Sequence, residues 1–490
     1  MKTISELVKD LEYRVIREGR ENWQEIEVTD LIFDSRKVTE GSLFACEDGT
    51  VYDGIDFLNM AREKGAVVAI MDKEPKQFPD GLCMLMVNDV LDAESKIASA
   101  FYDKALSGVQ MIGMTGTNGK TTTSTLMHHI FTESGKMACL IGTNENRIGL
   151  ERVPATHTTP YPFELYPLFE RMNEAGADTI VMEVSSHALS QHRVSEVHYH
   201  IGMFTNLTED HLDYHKTMEA YLAAKCKLFF QSDIGLINGD DDACPVILST
   251  KACPFLTYGL GENCDYRAEN MSMDENGLEY DWFFKEEKLG HISYPVPGRF
   301  NVYNTLLAAS ASHLAGIDQD VIVRALSVDV TRVAGRFETF RSSDGVTAVV
   351  DYAHTPDGLE NVLQTANEFV RGRVITVFGC GGDRDPLKRP IMGEIAGRLS
   401  DFCIITSDNP RTEDPESIID QIEPGVKKTD CAYIRNSDRK AAIKAAIEMA
   451  KDGDVVMVAG KGHEDYQIIG REKLHLDDRE EVKKALALRD

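Results

Sequence analysis

Long apolar segments are missing from this sequence, and their absence excludes a protein with membrane-spanning helices. No uninterrupted apolar run approaches the roughly 18 residues that such a helix needs. The N-terminal segment MKTISELVKDLEYRV interleaves charges with apolar residues at helical spacing and lacks the apolar core of a secretory signal. We therefore expect a cytoplasmic protein that is not inserted in a membrane.

Paired cysteines and positive charge are also scarce. The 10 cysteines are scattered singly, with no CxxC pair of the kind that binds zinc or carries redox chemistry, so we expect reduced, mostly buried thiols.

The 52 Lys and Arg residues are outnumbered by 80 Asp and Glu residues, which gives a net charge of −28. This balance excludes a broad contact with nucleic-acid phosphates. Anionic ligands must instead meet Arg, Lys, backbone amides or a divalent metal locally.

The 490 residues exceed what one hydrophobic core supports, and their pattern divides them into three regions. Residues 1–105 contain short apolar segments such as VVAIMD and CMLMV between helix-like stretches, as in a small α/β domain. In residues 106–335 a parallel sheet is predicted from the runs VQMIGM, MACLIG, DTIVMEV, HIGMFTN and IGLIN. In residues 336–490 a Rossmann-like sheet is predicted from TAVVDYA, RVITVFG, FCIITSD and DVVMVAG. The predicted fold class is α/β, with a small N-terminal α/β domain, a central parallel-sheet domain and a C-terminal Rossmann-like domain.

Each of the four strands predicted in the last region runs directly into a polar or Gly-rich motif. The motifs are DYAHTP, GCGGDRD, SDNPR and GKGHE. Ligands of doubly wound sheets bind outside the carboxyl ends of the strands, so these motifs should converge on one edge. This arrangement indicates that the C-terminal region is functional.

The segment VQMIGMTGTNGKTTTSTLMHHIF has the order strand, Gly-rich turn and helix, and Gly135 is expected to end the helix. Backbone N–H groups of such a turn surround phosphates, while Lys120 can reach the β and γ oxygens and the Thr121 hydroxyl can ligate Mg²⁺. The spacing from Gly113 to Gly119 is one residue longer than in the strict motif, so the match is a variant. An ordinary turn is the alternative, but the joint presence of strand, GTNGKTT and helix favours nucleotide binding.

A phosphate loop alone does not decide the reaction, because motors, switches, kinases and ligases all use one. The acidic composition argues against a nucleic-acid motor, yet a nucleotide switch or motor ATPase stays open as an alternative to a ligase. Glu183 ends a predicted strand and could hold Mg²⁺ as Walker-B acids do. Taken singly, His211 is more often a structural residue, and Lys225 is typical of a solvated helix face.

Eleven motifs, in order, resemble the Mur ligases, and more narrowly the branch of that family that adds diaminopimelate. They are GMTGTNGKTTT, HTTP, MEVSSHAL, TNLTEDHLDYH, AAKCKLFF, GRFNVYN, AGRFE, DYAHTPDGLE, GCGGDRD, DNPR and GKGHE. With DSRKV near Ser35, the resemblance covers nearly the whole chain, as far as Glu464. It implies a three-domain α/β enzyme that uses ATP and Mg²⁺.

The resemblance implies roles around the nucleotide. The residues that would bind the ATP phosphates are Gly116, Thr117, Asn118, Gly119, Lys120, Thr121 and Thr122. Thr121, Glu183 and His211 would organise Mg²⁺, and Lys225 falls where the family carries a carbamylated lysine, whose carboxylate can bind a second Mg²⁺. The expected catalytic residues are therefore Lys120, Glu183, His211 and Lys225. The positions that resemble contacts to adenine, ribose and phosphate are Asn301, Asn304, Arg336 and Asp351.

The resemblance also locates a UDP-MurNAc-dipeptide. Its UDP-sugar end matches Ser35, Arg36 and residues 41–44. The positions that match the MurNAc-dipeptide portion are Thr158, Thr159, Ser185, Gln191 and Arg193. His157 stands before the Thr pair where some relatives have Asn, which leaves the role of this position open.

The implied reaction begins with phosphorylation of the D-Glu γ-carboxylate of UDP-MurNAc-L-Ala-D-Glu by ATP. An amine then attacks the acyl phosphate and phosphate leaves, so catalysis consists mainly of positioning and charge neutralisation, without a covalent enzyme nucleophile. The amine is meso-diaminopimelate or L-lysine in different relatives, and the two differ by one distal carboxylate. We expect a monomer that acts on these small molecules and not on nucleic acid.

A distal carboxylate needs a fixed cation, and a bidentate guanidinium suits it best. Arg411 of DNPR provides one, and this motif marks the diaminopimelate-adding branch. The other positions that match diaminopimelate contacts are Arg384, Asp408, Asn409, Pro410, Gly460 and Glu464. A simple turn after a strand is the alternative interpretation of DNPR, and an L-lysine-adding relative is the alternative function.

Overall fold

The computed structural model describes residues 1–49, 52–331 and 333–489. The chain consists of α-helices and β-strands arranged around three main sheets, one after another along the sequence. Across these described ranges, no helix combines the length and the apolar character needed to cross a membrane. The domain boundaries after residues 105 and 335 stay predictions.

The N-terminal region is a small α/β unit. Its elements are β1 Lys2–Thr3, α1 Ile4–Leu7, β2 Tyr13–Arg17, β3 Glu27–Val28, β4 Asp30–Ile32, β5 Ser42–Ala45, α2 Leu58–Glu63, β6 Val68–Met71, β7 Cys83–Val87 and α3 Val90–Phe101. The main sheet has the order β2-β7-β6-β5-β4, in which β4 to β7 are parallel and β2 is antiparallel. The apolar segments VVAIMD and CMLMV form β6 and β7.

The central region is built on an 11-stranded sheet. Its first elements are β8 Gln110–Thr115, α4 Lys120–Glu133, β9 Ala138–Ile141, β10 Asn146–Ile148, β11 Glu151–Val153, α5 Pro162–Glu174, β12 Thr179–Glu183, α6 Ser186–Ser190, β13 Tyr199–Phe204, α7 Leu212–His215, α8 Met218–Cys226 and β14 Ser232–Asn238. The five predicted strands lie side by side in the parallel order β9-β12-β8-β13-β14. Helix α4 ends just before Gly135, as predicted.

The second part of the central region differs from the sequence analysis, which identifies no strands there. Its elements are α9 Cys244–Ser249, β15 Phe255–Gly259, β16 Tyr266–Asp274, β17 Gly277–Phe284, β18 Glu287–Tyr294, α10 Arg299–Leu314 and α11 Gln319–Ser327. Strands β16, β17 and β18 are antiparallel and extend the sheet. The alternation of buried Leu278, Tyr280 and Trp282 with less buried residues is the signal that could have revealed β17.

The C-terminal region has a six-stranded sheet. Its elements are β19 Glu338–Arg341, β20 Thr347–Asp351, α12 Pro356–Phe369, β21 Val374–Phe378, α13 Lys388–Leu399, β22 Phe402–Ile405, α14 Pro415–Val426, β23 Ala432–Arg435, α15 Arg439–Met449, β24 Val455–Ala459, β25 Tyr466–Ile469, β26 Glu472–His475 and α16 Asp478–Ala487. The order is β19-β20-β24-β21-β22-β23, and only β19 is antiparallel to its neighbour. The four predicted strands are therefore adjacent and parallel.

The N-terminal and central regions share one hydrophobic core, whereas the C-terminal sheet has cores of its own. Helix α3 packs on α5, and Ile97, Leu165 and Phe169 belong to one buried cluster, so the N-terminal and central regions share a core. Burying each such side chain stabilises the fold by about 1.5–3 kcal/mol. The C-terminal sheet has a separate core on each face, as expected where helices cover both faces. All ten cysteines are free and eight are buried, which confirms the expected buried thiols.

Candidate active site

A cavity of about 570 Å³ lies between the central and C-terminal regions. Its walls include the loop between β8 and α4, the end of β12, helix α10 and the start of α12. The carboxyl ends of two parallel sheets meet there, where ligands of such sheets bind. The predicted residues that line it are Gly116, Thr117, Asn118, Gly119, Lys120, Thr121, Thr122, Thr158, Glu183, Ser185, His211, Lys225, Asn304, Arg336 and Asp351.

The phosphate loop requires glycine at two positions. The backbone φ is +145° at Gly116 and +87° at Gly119, in the region that other residues avoid. A Cβ on Gly116 would lie 1.8 Å from the Thr205 hydroxyl, and one on Gly119 would lie 2.4 Å from Oδ1 of Asn304. Any other residue would be strained at these φ angles, and the Thr205 and Asn304 side chains would have to shift to admit a Cβ.

Two lysines donate hydrogen bonds to this loop. Lys120 Nζ donates to the carbonyls of Gly116 and Thr117, each at 2.9 Å. Lys225 Nζ donates to the same Gly116 carbonyl at 2.8 Å and lies 4.1 Å from the centroid of the Tyr221 ring. Lys225 is only 1% exposed, so its interpretation as a solvated helix residue is wrong. Burial, together with the Lys120 cation, lowers the pKa of Lys225 well below its ordinary value.

Glu183 is a buried carboxylate at the end of β12. Its Oε2 accepts hydrogen bonds from the hydroxyls of Thr121 at 3.2 Å and Thr143 at 2.8 Å. Its Oε1 accepts from the Ser124 hydroxyl at 3.3 Å and from the Thr143 backbone N–H at 3.2 Å. A Cβ on Gly142 would lie 2.5 Å from Oε1, so glycine leaves room for the carboxylate. A buried carboxylate surrounded by neutral donors beside a phosphate loop suits a divalent cation.

His211 approaches the same cavity from the start of α7. Its ring lines the cavity and lies 4.9 Å, centroid to centroid, from the ring of His187. The side chain is 43% exposed, and its partial burial is the main cause that lowers its pKa to about 4. The neutral imidazole can therefore act as a metal ligand near pH 7.

Arg336 and Asp351 lie where the chain enters the C-terminal sheet. Arg336 Nη2 donates to the Thr121 hydroxyl at 3.2 Å and so contacts the phosphate loop helix. Asp351 ends β20 and accepts hydrogen bonds from the backbone N–H groups of Phe337 at 2.7 Å and Ala353 at 2.8 Å. Both side chains face the cavity between the two sheets.

Helix α10 contributes an asparagine pair. Asn304 lines the cavity beside Gly119, and its Nδ2 donates to Oδ1 of Asn301 at 3.2 Å. Asn301 is buried, and its own Nδ2 donates to the Pro297 carbonyl at 2.9 Å. Asn301 therefore orients Asn304, which is the member of the pair that faces the cavity.

Three residues predicted for the MurNAc-dipeptide surround the end of β12. The Thr159 hydroxyl donates to the Glu183 carbonyl at 2.9 Å and accepts from the Ser185 backbone N–H at 3.0 Å. The hydroxyls of Thr158 and Thr143 are 3.0 Å apart. These side chains place a hydroxyl-rich surface directly beside the buried carboxylate.

Arg193 and Gln191 extend this surface toward the N-terminal region. Arg193 donates to the Thr159 carbonyl at 2.9 Å and to Oε1 of Gln191 at 3.0 Å. Its guanidinium lies 3.7 Å from the centroid of the Tyr161 ring, and burial lowers its pKa. His157 is exposed, with its ring 5.3 Å from that of Tyr161.

The residues predicted for the UDP-sugar end lie outside this cavity. Ser35 is buried, while the Arg36 side chain is 84% exposed and pairs with Asp34 at 2.9 Å. Residues 41–44 are buried, and residues 42–44 lie within β5. The ring of Phe33, beside this segment, lies 6.3 Å from that of Tyr161. The segment therefore approaches the Arg193 surface without reaching the nucleotide cavity.

The C-terminal motifs form one hydrogen-bonded network. Strand β24 lies between β20 and β21, so GKGHE, which follows β24, comes close to the motifs that follow the neighbouring strands. Asn409 Nδ2 donates to Oε2 of Glu464 at 2.8 Å. Lys461 is fully buried and its Nζ donates to Oδ1 of Asn409 at 3.1 Å and to Oε2 of Glu464 at 3.0 Å. Asp408 is buried, and a Cβ on Gly460 would lie 2.5 Å from its Oδ2. The expected convergence of DNPR and GKGHE is confirmed.

Two arginines flank this network. A Cβ on Gly381 would lie 2.9 Å from Nη1 of Arg411 and 3.8 Å from Cγ of Arg384. Arg411 has φ +51° and its Nη1 donates to the Gly382 carbonyl at 2.7 Å. A Cβ on Gly382 would lie 1.9 Å from the buried Pro410 carbonyl, so glycine allows GCGGDRD to pack on DNPR.

Comparisons with known proteins agree along the whole chain. The matching families are the Mur ligase family, catalytic domain (residues 27–102), the Mur ligase middle domain (114–312) and the Mur ligase, glutamate ligase domain (335–462). UDP-N-acetylmuramoyl-L-alanyl-D-glutamate–2,6-diaminopimelate ligase of Clostridium botulinum is 43% identical, with 98% of each chain covered. The chain belongs to the Mur ligase family. The equivalent enzyme of Geobacter sulfurreducens is also 43% identical, covering 93% of this chain and 94% of its own.

Solved structures confirm the predicted three-part architecture of this Mur ligase. A UDP-N-acetylmuramoyl-L-alanyl-D-glutamate–2,6-diaminopimelate ligase superposes with a TM-score of 0.68 at 31% identity, covering 100% of this chain and 99% of the other. MurF of Thermotoga maritima in complex with ADP shares the fold, with a TM-score of 0.65 at 17% identity, covering 94% and 99%. Membership of this family favours a ligase over the switch or motor alternative.

Some cavity and network residues of this Mur ligase are not singled out by sequence analysis. Lys461 lies inside GKGHE, so the motif itself was an available signal. Asp357 and Asn361 follow DYAHTP one helical turn apart and both line the cavity. Their polar spacing on one face of α12 could have indicated a contact with the nucleotide domain.

Proposed function

We propose that this Mur ligase uses ATP to add meso-diaminopimelate to the D-Glu residue of UDP-MurNAc-L-Ala-D-Glu, in peptidoglycan precursor synthesis. The observation that carries the proposal is the DNPR–GKGHE network beside a phosphate-loop cavity, in a chain that aligns over 98% of its length with a diaminopimelate ligase. We place the enzyme in the cytoplasm, where ATP is available, and infer that it works as a monomer.

The first step transfers the γ-phosphoryl group of ATP to the D-Glu γ-carboxylate. The loop amides and the start of α4 bind the phosphates. Lys120, which contacts two loop carbonyls at 2.9 Å, is placed to move onto the β and γ oxygens and neutralise their charge. Most of the catalysis then comes from positioning and electrostatics.

The residues around Glu183 fit Mg²⁺. The Thr121 hydroxyl, the Glu183 carboxylate and the His211 imidazole supply suitable ligands, and Glu183 is buried among neutral donors. When bound, Mg²⁺ would neutralise phosphate oxygens. In the described part of the chain, no three His, Cys, Asp or Glu side chains are grouped as a ready metal centre. A second carboxylate near the phosphate loop would strengthen such a site.

We assign that carboxylate to Lys225 after carbamylation. Only the neutral amine attacks CO₂, and burial beside Lys120 lowers the pKa of Lys225 and favours that form. The amine nitrogen bonds to the CO₂ carbon and releases one proton, which leaves an anionic N-carboxylate. An unmodified ammonium at this position would repel a metal ion.

In the second step the amine attacks the acyl phosphate carbon and phosphate leaves. Arg411 and Arg384, which flank the same point near Gly381, offer guanidinium groups to the distal carboxylate of meso-diaminopimelate. Glu464, held by Asn409 and Lys461, suits the distal ammonium. L-Lysine lacks the distal carboxylate and would leave the arginines without a partner.

The dipeptide substrate would lie along the surface that leads from the N-terminal region to Glu183. We assign its UDP-sugar end to Ser35 and Arg36. The residues assigned to its MurNAc-dipeptide portion are Thr158, Thr159, Ser185, Gln191 and Arg193. The hydrogen bonds among these last residues at the end of β12 support this path.

Phosphate release with ATP, Mg²⁺ and UDP-MurNAc-L-Ala-D-Glu tests the proposal. We expect phosphate and tripeptide product with meso-diaminopimelate and little of either with L-lysine. A preference for L-lysine would identify an L-lysine-adding ligase. Release with neither amine, but stimulation by a protein or polymer, would indicate a switch or motor ATPase.

A further inference from the structure

Helix α12 contacts the phosphate loop through one acidic side chain. Asn118 Nδ2 donates to Oδ2 of Asp357 at 2.7 Å, across 239 positions of sequence. The same Nδ2 also donates to the Thr208 hydroxyl at 3.3 Å. The bond therefore joins the loop of the central region to the first turn of a C-terminal helix.

The other polar groups of Asn118 are held from the central region. Its backbone N–H donates to Oδ1 of Asn206 at 2.8 Å, and its carbonyl accepts from Nδ2 of Asn206 at 3.2 Å. Asp357 contacts Asn118 from the opposite wall of the cavity. Because the cavity lies between these walls, the bond between Asp357 and Asn118 requires the two regions to be close together.

The position of Asp357 in its helix does not by itself account for this contact. An acid in the first turn after Thr355 and Pro356 is favoured by the helix dipole. Glu416 occupies the equivalent place in α14, after an N-cap Asp and a Pro, but it pairs with Arg435 at 2.9 Å. A carboxylate beside the phosphate loop would also repel phosphates, so attraction to the phosphates does not explain Asp357.

We propose that Asp357 is a positioning residue that latches the C-terminal region onto the phosphate loop through Asn118. This inference rests on the proposed ligase function, because the latch serves to hold the closed form in which amine and acyl phosphate meet. Closure of this kind keeps water from a reactive intermediate. Asp357 acts on Asn118 and not on a reacting atom.

The test separates kcat from nucleotide binding. Asp357→Ala should lower kcat roughly 10-fold or more, as expected for losing a charge-assisted hydrogen bond. The Kd of a non-hydrolysable ATP analogue should weaken by less than about threefold, because the carboxylate does not attract phosphates. Asp357→Asn keeps an acceptor oxygen and should recover most of the activity. Glu416→Ala, which removes an acid from the matching helix position, should behave as wild type.

Small-angle scattering measures directly whether the C-terminal region closes onto the phosphate loop. Asp357→Ala should reduce the compaction that saturating ligand induces, as seen by small-angle scattering. A 10-fold weaker Kd with unchanged kcat would make Asp357 a nucleotide ligand and overturn the latch. If Asp357→Ala and Glu416→Ala lower kcat equally, Asp357 only stabilises its helix. Absence of wild-type turnover would instead refute the proposed function, while scattering would still test the latch.

Discussion

At the scale of single residues, Lys120 and Lys225 donate to the same carbonyl, that of Gly116. Two ammonium groups this close repel each other, and burial lowers the pKa of both. The proposed carbamylation of Lys225 would remove this conflict, since it would replace one cation with an anion beside the other. The resulting carboxylate would be able to bind a second Mg²⁺.

Lys225→Ala should therefore nearly abolish turnover, because it removes the carboxylate that we propose as a Mg²⁺ ligand. A short carboxylic acid added to the assay should restore part of the activity by replacing that carboxylate. Lys227→Ala is the matched control, since Lys227 is two residues away and exposed. Near-normal activity of Lys225→Ala without any added acid would rule out the metal-bridging role.

Arg411 is expected to set the choice of amine. Losing one partner of a charge-assisted pair with the distal carboxylate costs roughly 2–5 kcal/mol, which is about 30-fold or more in kcat/KM. Arg411→Ala should cripple diaminopimelate addition and leave ATP binding intact, whereas Arg371→Ala, at an exposed pair with Glu275, should be neutral. L-Lysine need not become a good substrate, because Glu464 also shapes the site. If the ratio of kcat/KM for the two amines is the same in wild type and in Arg411→Ala, DNPR is only a turn.

At the scale of elements, helix α3 places a buried carboxyl in its contact with the central region. Glu94 is fully buried, with Glu47, Arg193 and Asp89 as its charged neighbours, while Glu47 also faces Glu164. Within the described residues, no conventional donor reaches either Glu94 oxygen. Burial raises the pKa of Glu94 well above its ordinary value, and burial also raises that of Glu47. The site therefore favours the neutral carboxyl form of Glu94.

This pair should make stability depend on pH. Because its folded-state pKa is raised, its contribution is present below the unfolded carboxyl pKa of about 4.3 and is lost as pH rises through the folded-state pKa. Glu94→Gln stays neutral, so its Tm by calorimetry should exceed that of wild type at pH 8 and approach it at pH 5. Asp92 lies on the same helix and pairs with Lys96, and Asp92→Asn should show the same dependence of Tm on pH as wild type. If Tm changes with pH in the same way in wild type and in Glu94→Gln, the pair of Glu94 and Glu47 does not titrate.

At the scale of the whole molecule, the site is assembled from regions with separate cores. The phosphate loop belongs to the central sheet and Asp351 to the C-terminal sheet, and the cavity between them must admit ligands and then exclude water. We therefore expect the regions to close around bound substrates. The radius of gyration from small-angle scattering should fall when an ATP analogue and the UDP-substrate are added together. No change on adding both would contradict closure.

Much of this architecture could be predicted from local patterns. Strand, turn and helix at GTNGKTT depend on glycine conformations and hydrogen bonds within a few residues, so the phosphate loop is as predicted. The four C-terminal strands are as predicted because each is a continuous apolar run of the kind that parallel sheets bury. The strands in residues 266–294 were not predicted, because these antiparallel strands show only short alternation interrupted by bulges.

The sequence by itself determined which motifs exist, their order, and the family that carries them. Only the tertiary structure decided that Lys225 is buried against Gly116, that Asp357 reaches Asn118, and that Glu94 faces Glu47. The physical reason is that helix and strand patterns report periodicity and local hydrogen bonds. Burial and the distance between side chains far apart in sequence arise only when sheets and helices pack, and pKa values follow from that packing.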